Sequence, residues 1–143
     1  MTKEVLNTLS REILDASIAV HREMGPGLLE SVYQQYLVKE LFLRNIKTTT
    51  MLPIPLQYKG YTLNKDYVID ILVEDEIIIE LKSIEVILSV HETQIISYLK
   101  LADKRLGFLI NFNVPLLKDG FKRFVNNFNA HSLAPQCLCG KDL

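Results

Sequence analysis

The sequence predicts an α/β sandwich in which one mixed sheet of about four strands is flanked by helices, in the order ααβββαβα. Apolar residues recur at helical spacing over the first 45 residues, and turn-bounded runs rich in Ile, Val and Thr follow them. A further helical segment then precedes a strand that is apolar on both faces, which is typical of a central or parallel strand. A chain of 143 residues is most simply one domain. We place that domain at residues 1–130, with a flexible tail at residues 131–143.

Two helices are predicted at the start of the chain. Residues 4–24 carry Leu, Ile, Ala and Val at intervals of three or four. The Gly-Pro-Gly sequence at residues 25–27 ends this helix, because Gly25 suits the C′ position and Pro26 cannot continue the hydrogen-bond ladder. A second helix is predicted over residues 28–45. Its expected core positions are Val32, Tyr36 or Leu37, and Leu41.

Three strands follow the second helix. The segment KTTTMLPIPLQY, residues 47–58, is predicted as an edge or irregular strand because Pro53 and Pro55 cannot donate to a sheet ladder. A Lys-Gly turn signal then leads into a strand over residues 61–73. A short acidic loop connects that strand to the next, over residues 77–83.

The last third of the chain is predicted to alternate between helix and strand. Ser89 and Glu92 form an S-x-x-E capping box, so a helix is expected from Ser89 to about Asp103. Residues 106–114 read as the central or parallel strand. Residues 119–129, DGFKRFVNNFN, are predicted as a final amphipathic helix.

Composition limits the class of protein. The chain has 48% hydrophobic and 23% charged residues, as is ordinary for a globular protein. No apolar run approaches the ~20 residues of a membrane span, and the N-terminus is polar. We therefore expect a cytoplasmic protein without membrane contact. No glycine-rich phosphate loop and no Ser or Cys triad signature is present. Cys137 and Cys139 with His131 could suggest zinc, but they lack a fourth ligand and the usual spacing.

The hairpin at residues 67–83 carries charge inside aliphatic sequence. Side chains alternate between the faces of a strand, so a three-residue loop places Asp70 opposite Glu80 and Val73 opposite Ile77. One face is then wholly apolar and is expected to join the core; it comprises Ile69, Ile71, Val73, Ile77, Ile79 and Leu81. The other face carries Asp70, Glu80 and Lys82. A register slipped by one residue would bury Asp70 in the core, which supports this pairing.

The two opposed carboxylates need a compensating charge. Directly opposed like charges in a sheet repel by roughly 0.2–1 kcal/mol even when exposed. Lys82 can supply one positive charge, and a hard divalent cation such as Mg²⁺ would bind carboxylate oxygens more strongly. Two acids, a cation and a lysine form an arrangement suited to phosphodiester cleavage. A solvated ion cluster on an uncovered sheet is the alternative.

The spacing of these residues resembles the signature of the PD-(D/E)XK nuclease superfamily. Nine residues separate Asp70 from the sequence Glu80-Leu81-Lys82, and Ile69 stands in place of the proline of that motif. GLLESVY, residues 27–33, resembles the motif that names the GxxExxY protein family, a branch of the superfamily. QIISY is a Q-x-x-x-Y motif of the kind that follows the Glu-x-Lys strand in several nuclease branches. The resemblance covers about residues 10–128.

The resemblance implies a restriction-endonuclease-like core with a metal-dependent catalytic centre. Asp70 and Glu80 would hold Mg²⁺ or Mn²⁺, and Lys82 would activate or orient the attacking water. Glu30 would be a third acid that reaches the metal or its water. A surface glutamate favoured by the dipole of its helix is the alternative for Glu30.

Four further residues are candidates on the same grounds. Gln94 and Tyr98 are four apart, share a helix face and would position the scissile strand, with an ordinary boundary pair as the alternative. His21 falls where the GxxExxY family tends to carry a histidine, and Tyr33 completes that family's motif. A helix-end interaction for His21 and corner packing for Tyr33 are the alternatives.

The predicted partner is nucleic acid, most simply DNA, and a homodimer is plausible because small nucleases often pair to cut two strands. The net charge of −1 means that a local basic patch would have to grip phosphates. Two groups could do so or could be solvated helix faces: Lys100, Lys104 and Arg105, and Lys118, Lys122 and Arg123. One rival hypothesis is a catalytically weak or inactive nuclease-fold module that binds nucleic acid or a protein in a regulatory or repair role. Another is a structural partner subunit.

Overall fold

The computed structural model describes residues 1–126. These residues form a five-stranded mixed sheet with helices on both faces. The strands lie in sequence order across the sheet, and only the third and fourth run parallel. The helices are α1, Lys3–Met24; α2, Glu30–Leu43; and α3, Ser89–Ala102. The strands are β1, Thr48–Tyr58; β2, Tyr61–Val73; β3, Ile77–Lys82; β4, Leu106–Asn111; and β5, Phe121–Val125.

The α/β class and the first seven elements are confirmed. The Thr2 hydroxyl accepts the Val5 N–H at 3.1 Å and caps α1. Gly25, with φ of 70°, ends that helix and donates its N–H to the carbonyl of His21. β1 is an edge strand, as its prolines predict, and β4 is the parallel strand beside β3.

The inward face of α2 differs in part from the prediction. Tyr33, Leu37 and Leu41 are fully buried, whereas Val32 is half-buried and Tyr36 is exposed. Both sets of residues fit helical spacing, so periodicity alone does not choose between them.

The predicted final helix over residues 119–129 is wrong in the part that the structure describes. A short 3-10 turn at Leu117–Gly120 leads into β5, which pairs antiparallel with β4. Phe124 packs against the α3 face of the sheet, and Phe121 and Val125 pack against the opposite face. The sheet therefore has five strands because β5 satisfies the backbone groups along the free edge of β4.

The predicted capping box of α3 is also wrong. Leu88 is the residue before the helix, and the Nδ1 atom of His91 accepts its backbone N–H at 2.9 Å. Glu92 instead pairs with Lys122 of β5. The tail at residues 131–143, with His131, Cys137 and Cys139, lies outside the described residues.

Two apolar clusters hold the helices to the sheet. The larger joins α1 and α2 to one face through side chains that include Ile71, Ile79 and Leu81. The smaller joins α3 to the other face through Leu72, Ile78 and neighbouring side chains. The acids of the hairpin lie at the edge of the second cluster, where the strands part.

Candidate active site

The strands of the β2–β3 hairpin separate at the two acids. Val73 pairs with Ile77, as predicted, and the ladder ends one residue before Asp70 and Glu80, at Ile71 and Ile79. Beyond that point the Leu81 N–H donates to Asp70 Oδ2 at 2.9 Å. The Asp70 N–H donates to Glu80 Oε1 at 3.1 Å. The two carboxylates thus take over the backbone hydrogen bonds that a continued ladder would have made.

The predicted apolar face is confirmed except at Ile69. Its other five members lie in the cluster beneath α1 and α2. Ile69 packs into the α3 cluster instead, with Ile54 and Tyr67. It lies beyond the end of the β2–β3 ladder, so the regular alternation of faces does not continue to it.

Burial raises the pKa of both acids, and the charge of a neighbouring carboxylate, Glu30 for Asp70 and Asp70 for Glu80, adds to the rise. Glu80 is 4% exposed, and burial, followed by the charge of Asp70, raises its pKa to about 8. Burial is also the largest cause that raises the pKa of Asp70, and the Leu81 N–H opposes it. The site therefore holds a proton near neutral pH that a bound cation would displace.

Lys82 follows the acids at the end of β3 and is half-buried. Its charge lowers the pKa of both Asp70 and Glu80, so it lies within electrostatic reach of them. Within residues 1–126 its amino group forms no ion pair within 4.0 Å. The amino group is therefore available to a substrate.

Glu30 is the first residue of α2 and is exposed. Its charge raises the pKa of both Asp70 and Glu80, which places it near them as an electrostatic neighbour. The segment before it lines an open cavity of about 590 Å³ together with Ser83 and Asn113. The three acids predicted to act together thus share one electrostatic environment.

The loop before Glu30 is fixed by Tyr33 and Ser83. The Tyr33 hydroxyl donates to the carbonyl of Gly25 and accepts the Leu28 N–H at 3.1 Å. Its ring stacks on Phe112, with 4.4 Å between the ring centroids. The Ser83 hydroxyl donates to the carbonyl of Leu28 at 2.6 Å. These contacts tie the start of α2 to the residue that follows Lys82.

Removal of the Tyr33 hydroxyl is expected to loosen that loop. Tyr33→Phe keeps the stacked ring but deletes two hydrogen bonds, so we expect the free energy of unfolding to fall by about 1–3 kcal/mol. Urea denaturation checks the value, and Tyr36→Phe, on the exposed face of the same helix, is the control. A Tyr33→Phe protein as stable as the wild type would show that the hydroxyl does not hold the loop.

Gln94 and Tyr98 border the acid pair from α3. The Gln94 Nε2 donates to the Tyr98 hydroxyl at 2.9 Å, and Tyr98 is buried. Burial, followed by the charge of Glu80, raises the pKa of Tyr98 to about 12. The ring of Tyr67 lies 5.1 Å from the ring of Tyr98, centroid to centroid. Tyr98 therefore stays protonated at neutral pH and can donate a hydrogen bond.

His21 and Lys104, one of the predicted basic residues, have other partners. The Nε2 of His21 lies 2.8 Å from the carbonyl oxygen of Val114, which joins α1 to the segment after β4. Lys104 donates to the carbonyl of Asp75 in the hairpin loop at 2.9 Å. In these described contacts neither residue touches Asp70 or Glu80.

Asn111 is a buried polar residue that the sequence analysis missed. Its Oδ1 accepts the N–H groups of Ile84 and Asn113, at 3.1 and 3.2 Å, and its Nδ2 donates to the carbonyl of Ile84 at 2.9 Å. Because Asn111 pairs in register with Lys82, it fixes the chain directly after the catalytic candidates. An amide at the end of an otherwise apolar strand was the available signal.

A family model described as the PD-(D/E)XK nuclease superfamily matches residues 7–124. The chain belongs to the PD-(D/E)XK nuclease superfamily. The matched segment contains Asp70, Glu80 and Lys82, the residues that carry the signature in this chain. No curated protein and no solved structure matches the chain. Within residues 1–126, none of the helices has the length and apolar composition that a membrane span requires.

PD-(D/E)XK nucleases typically use divalent metals, and the donor set of the acid pair fits such an ion. One oxygen of each acid, Asp70 Oδ2 and Glu80 Oε1, accepts a backbone N–H, and a hydrogen bond between the two side chains lowers the pKa of Asp70, so the two carboxyl groups converge. Within residues 1–126, no three His, Cys, Asp or Glu side chains converge as a ligand cluster. Two carboxylate ligands would leave most of an octahedral shell to water and substrate, as Mg²⁺ prefers.

Proposed function

We propose that the protein is a metal-dependent nuclease of the GxxExxY branch that hydrolyses phosphodiester bonds in DNA, in the cytoplasm. One observation carries the proposal. The carboxyl groups of Asp70 and Glu80 converge because each accepts a backbone N–H from the other's strand, and Lys82, without an ion pair in residues 1–126, lies within electrostatic reach of both. A structural ion cluster would use the lysine to neutralise the acids directly.

The proposed mechanism divides the work among the residues of the site. Asp70 and Glu80 would hold Mg²⁺ or Mn²⁺, which would polarise the scissile phosphate and lower the pKa of a bound water. Lys82 would orient the attacking water and stabilise the charge that develops on the phosphate. Glu30, nearest to solvent, would bind an outer water of the cation.

Gln94 and Tyr98 would position the substrate strand. The Tyr98 hydroxyl carries a proton at neutral pH because its pKa is about 12, so it can donate to a phosphate oxygen. Gln94 holds that hydroxyl in place by donating to its oxygen. His21 and Tyr33 would support the site through the loops that they anchor, and two chains would be needed to cut both strands of a duplex at once.

A metal titration followed by thermal unfolding tests the cation site. At pH 8, MnCl₂ at about 100 times the dissociation constant should stabilise the protein by about 2.7 kcal/mol, a rise of several degrees in Tm. At pH 6 the rise should be smaller, because Glu80, with a pKa of about 8, must lose its proton to bind the cation. Asp70→Asn should remove the effect. An equal rise in the Asp70→Asn protein would place the cation elsewhere.

The inactive-module hypothesis stays a rival because part of the basic surface that was predicted to grip phosphates is engaged within residues 1–126. Lys104 and Lys122 engage acidic partners within the chain, and the net charge is −1. That rival predicts nucleic-acid or protein binding that is indifferent to EDTA and to Lys82. A structural subunit would instead bind a protein partner stably and show no effect of divalent metal.

A further inference from the structure

The β1–β2 hairpin extends beyond the rest of the sheet as a two-stranded arm. β1 and β2 pair from Thr48 and Val73 out to Tyr58 and Tyr61. β3 pairs only with the last three residues of β2. Residues 53–68, named here the arm, therefore lie beyond the five-stranded part of the sheet.

The arm presents exposed aromatic rings next to positive charge. Tyr58 and Tyr61 form the last cross-strand pair before the turn and are 61% and 75% exposed. The Lys59 amino group lies 5.3 Å from the centroid of the Tyr58 ring. The arm carries Lys59 and Lys65 against a single acid, Asp66. Exposed aromatics with nearby cations are the recurring features of surfaces that bind single-stranded nucleic acid.

The arm is continuous with the candidate active site. Ile54 and Tyr67 pair across its base, and both pack into the α3 cluster with Tyr98. The register shifts between Pro55 and Gln57, so the pairing is irregular between this base and the Tyr58–Tyr61 pair at the end of the arm. A strand that leaves the acid pair past Tyr98 and Tyr67, whose rings are in contact, would continue along the arm toward the two exposed tyrosines.

We propose that the arm binds the unpaired continuation of the DNA strand held at the active site, with its bases stacked on Tyr58 and Tyr61 and its phosphates near Lys59 and Lys65. This inference rests on the proposed function and adds the substrate class: DNA that is single-stranded beside the cleavage point. Two lysines supply too few phosphate contacts for tight duplex binding. Pro53 and Pro55 interrupt the outer edge of β1, which disfavours the addition of a partner's strand there.

Fluorescence anisotropy with a labelled oligo-dT of about 12 nucleotides tests the arm. EDTA in the buffer prevents metal-dependent cleavage, so the result is independent of turnover. Because loss of one stacked base weakens binding about 5- to 150-fold, Tyr58→Leu with Tyr61→Leu should weaken binding at least about 25-fold. Tyr58→Phe with Tyr61→Phe should bind within about 3-fold of wild type, since phenylalanine keeps the stacking face. Tyr36→Leu, an exposed tyrosine on α2, is the matched control and should bind as wild type.

Two further readouts report the contacts themselves. The chain has six tyrosines and no tryptophan, so stacked bases should quench tyrosine fluorescence, and the double Leu variant should lose that quenching. Lys59→Gln should reduce the slope of log K against log salt by about 0.7.

Several outcomes would overturn the proposal. One is an unchanged affinity in a double Leu variant whose urea unfolding matches that of the wild type. The others are tighter binding of duplex than of single-stranded DNA, and tighter binding of oligo-U than of oligo-dT. If the wild-type protein bound the oligonucleotide through the arm but showed no metal-dependent cleavage, the result would contradict the proposed function and would support the proposal for the arm.

Discussion

Lys82→Met is expected to lower the rate of DNA cleavage by about 1000-fold while the protein remains folded. Removal of one preorganised group that stabilises transition-state charge typically costs 10²–10³ in rate. Lys82 has no ion pair within residues 1–126, so its loss should shift Tm by no more than about 3 °C. Single-turnover cleavage of a labelled DNA substrate in Mg²⁺ measures the rate.

Lys39→Met is the control for the loss of a lysine charge. Lys39 is exposed on α2, and its only described contact is with the ring of Phe42. The Lys39→Met protein should therefore cleave DNA at the wild-type rate. A Lys82→Met protein that keeps more than a tenth of the wild-type rate would show that Lys82 does not stabilise the reaction.

Glu80→Gln is expected to remove cleavage and, at the same time, to stabilise the metal-free protein at pH 8. Folding raises the pKa of Glu80 from 4.5 to about 8, so the folded protein keeps a proton that the unfolded chain loses. The stability that this proton provides is complete below about pH 4.5 and is lost as the pH rises to about 8. At 1.36 kcal/mol per pKa unit, the loss is on the order of 3–5 kcal/mol. Glutamine resembles the protonated acid and has no such pH dependence.

Urea denaturation in EDTA at pH 5 and pH 8 measures this effect as a difference between the two proteins. The free energy of unfolding of Glu80→Gln minus that of the wild type should be about 3 kcal/mol larger at pH 8 than at pH 5. Glu76→Gln, in the loop of the same hairpin, should show no such change. An advantage of Glu80→Gln that is equal at both pH values would mean that Glu80 titrates normally in the folded protein.

That Asp70 and Glu80 come close together could be predicted because the length of a hairpin loop sets which residues share a face. Three loop residues placed Val73 opposite Ile77, and the structure confirms that pair. The exchange of backbone hydrogen bonds by the two acids could not be predicted, because it depends on where the ladder ends. The different packing of Ile69 follows from the same break in the ladder.

The final strand was predicted as a helix because local periodicity carries no information about the edge of a sheet. Phe121, Phe124 and Phe128 recur at helical intervals, and this pattern predicted a helix. β5 forms instead because it hydrogen-bonds to β4 and places alternate side chains in the two clusters. Tertiary contacts thus overrode a local preference.

The supporting residues of the site were the hardest to predict. Tyr33 was foreseen as a motif residue, but its contacts with Gly25 and Leu28 depend on a loop whose path the sequence does not state. Asn111 was missed because it becomes informative only when β4 is known to lie beside Lys82. Residues that act through backbone contacts leave little trace in spacing or composition.

Asp70 and Glu80 are proposed to bind one divalent cation jointly, beside Lys82. Anomalous diffraction from a crystal grown with Mn²⁺ and a short DNA oligonucleotide tests this proposal most directly. We expect one anomalous peak within about 2.5 Å of a carboxylate oxygen of each acid. A peak bound to other residues, or no peak at the pair at a manganese concentration that supports cleavage, would contradict the proposal.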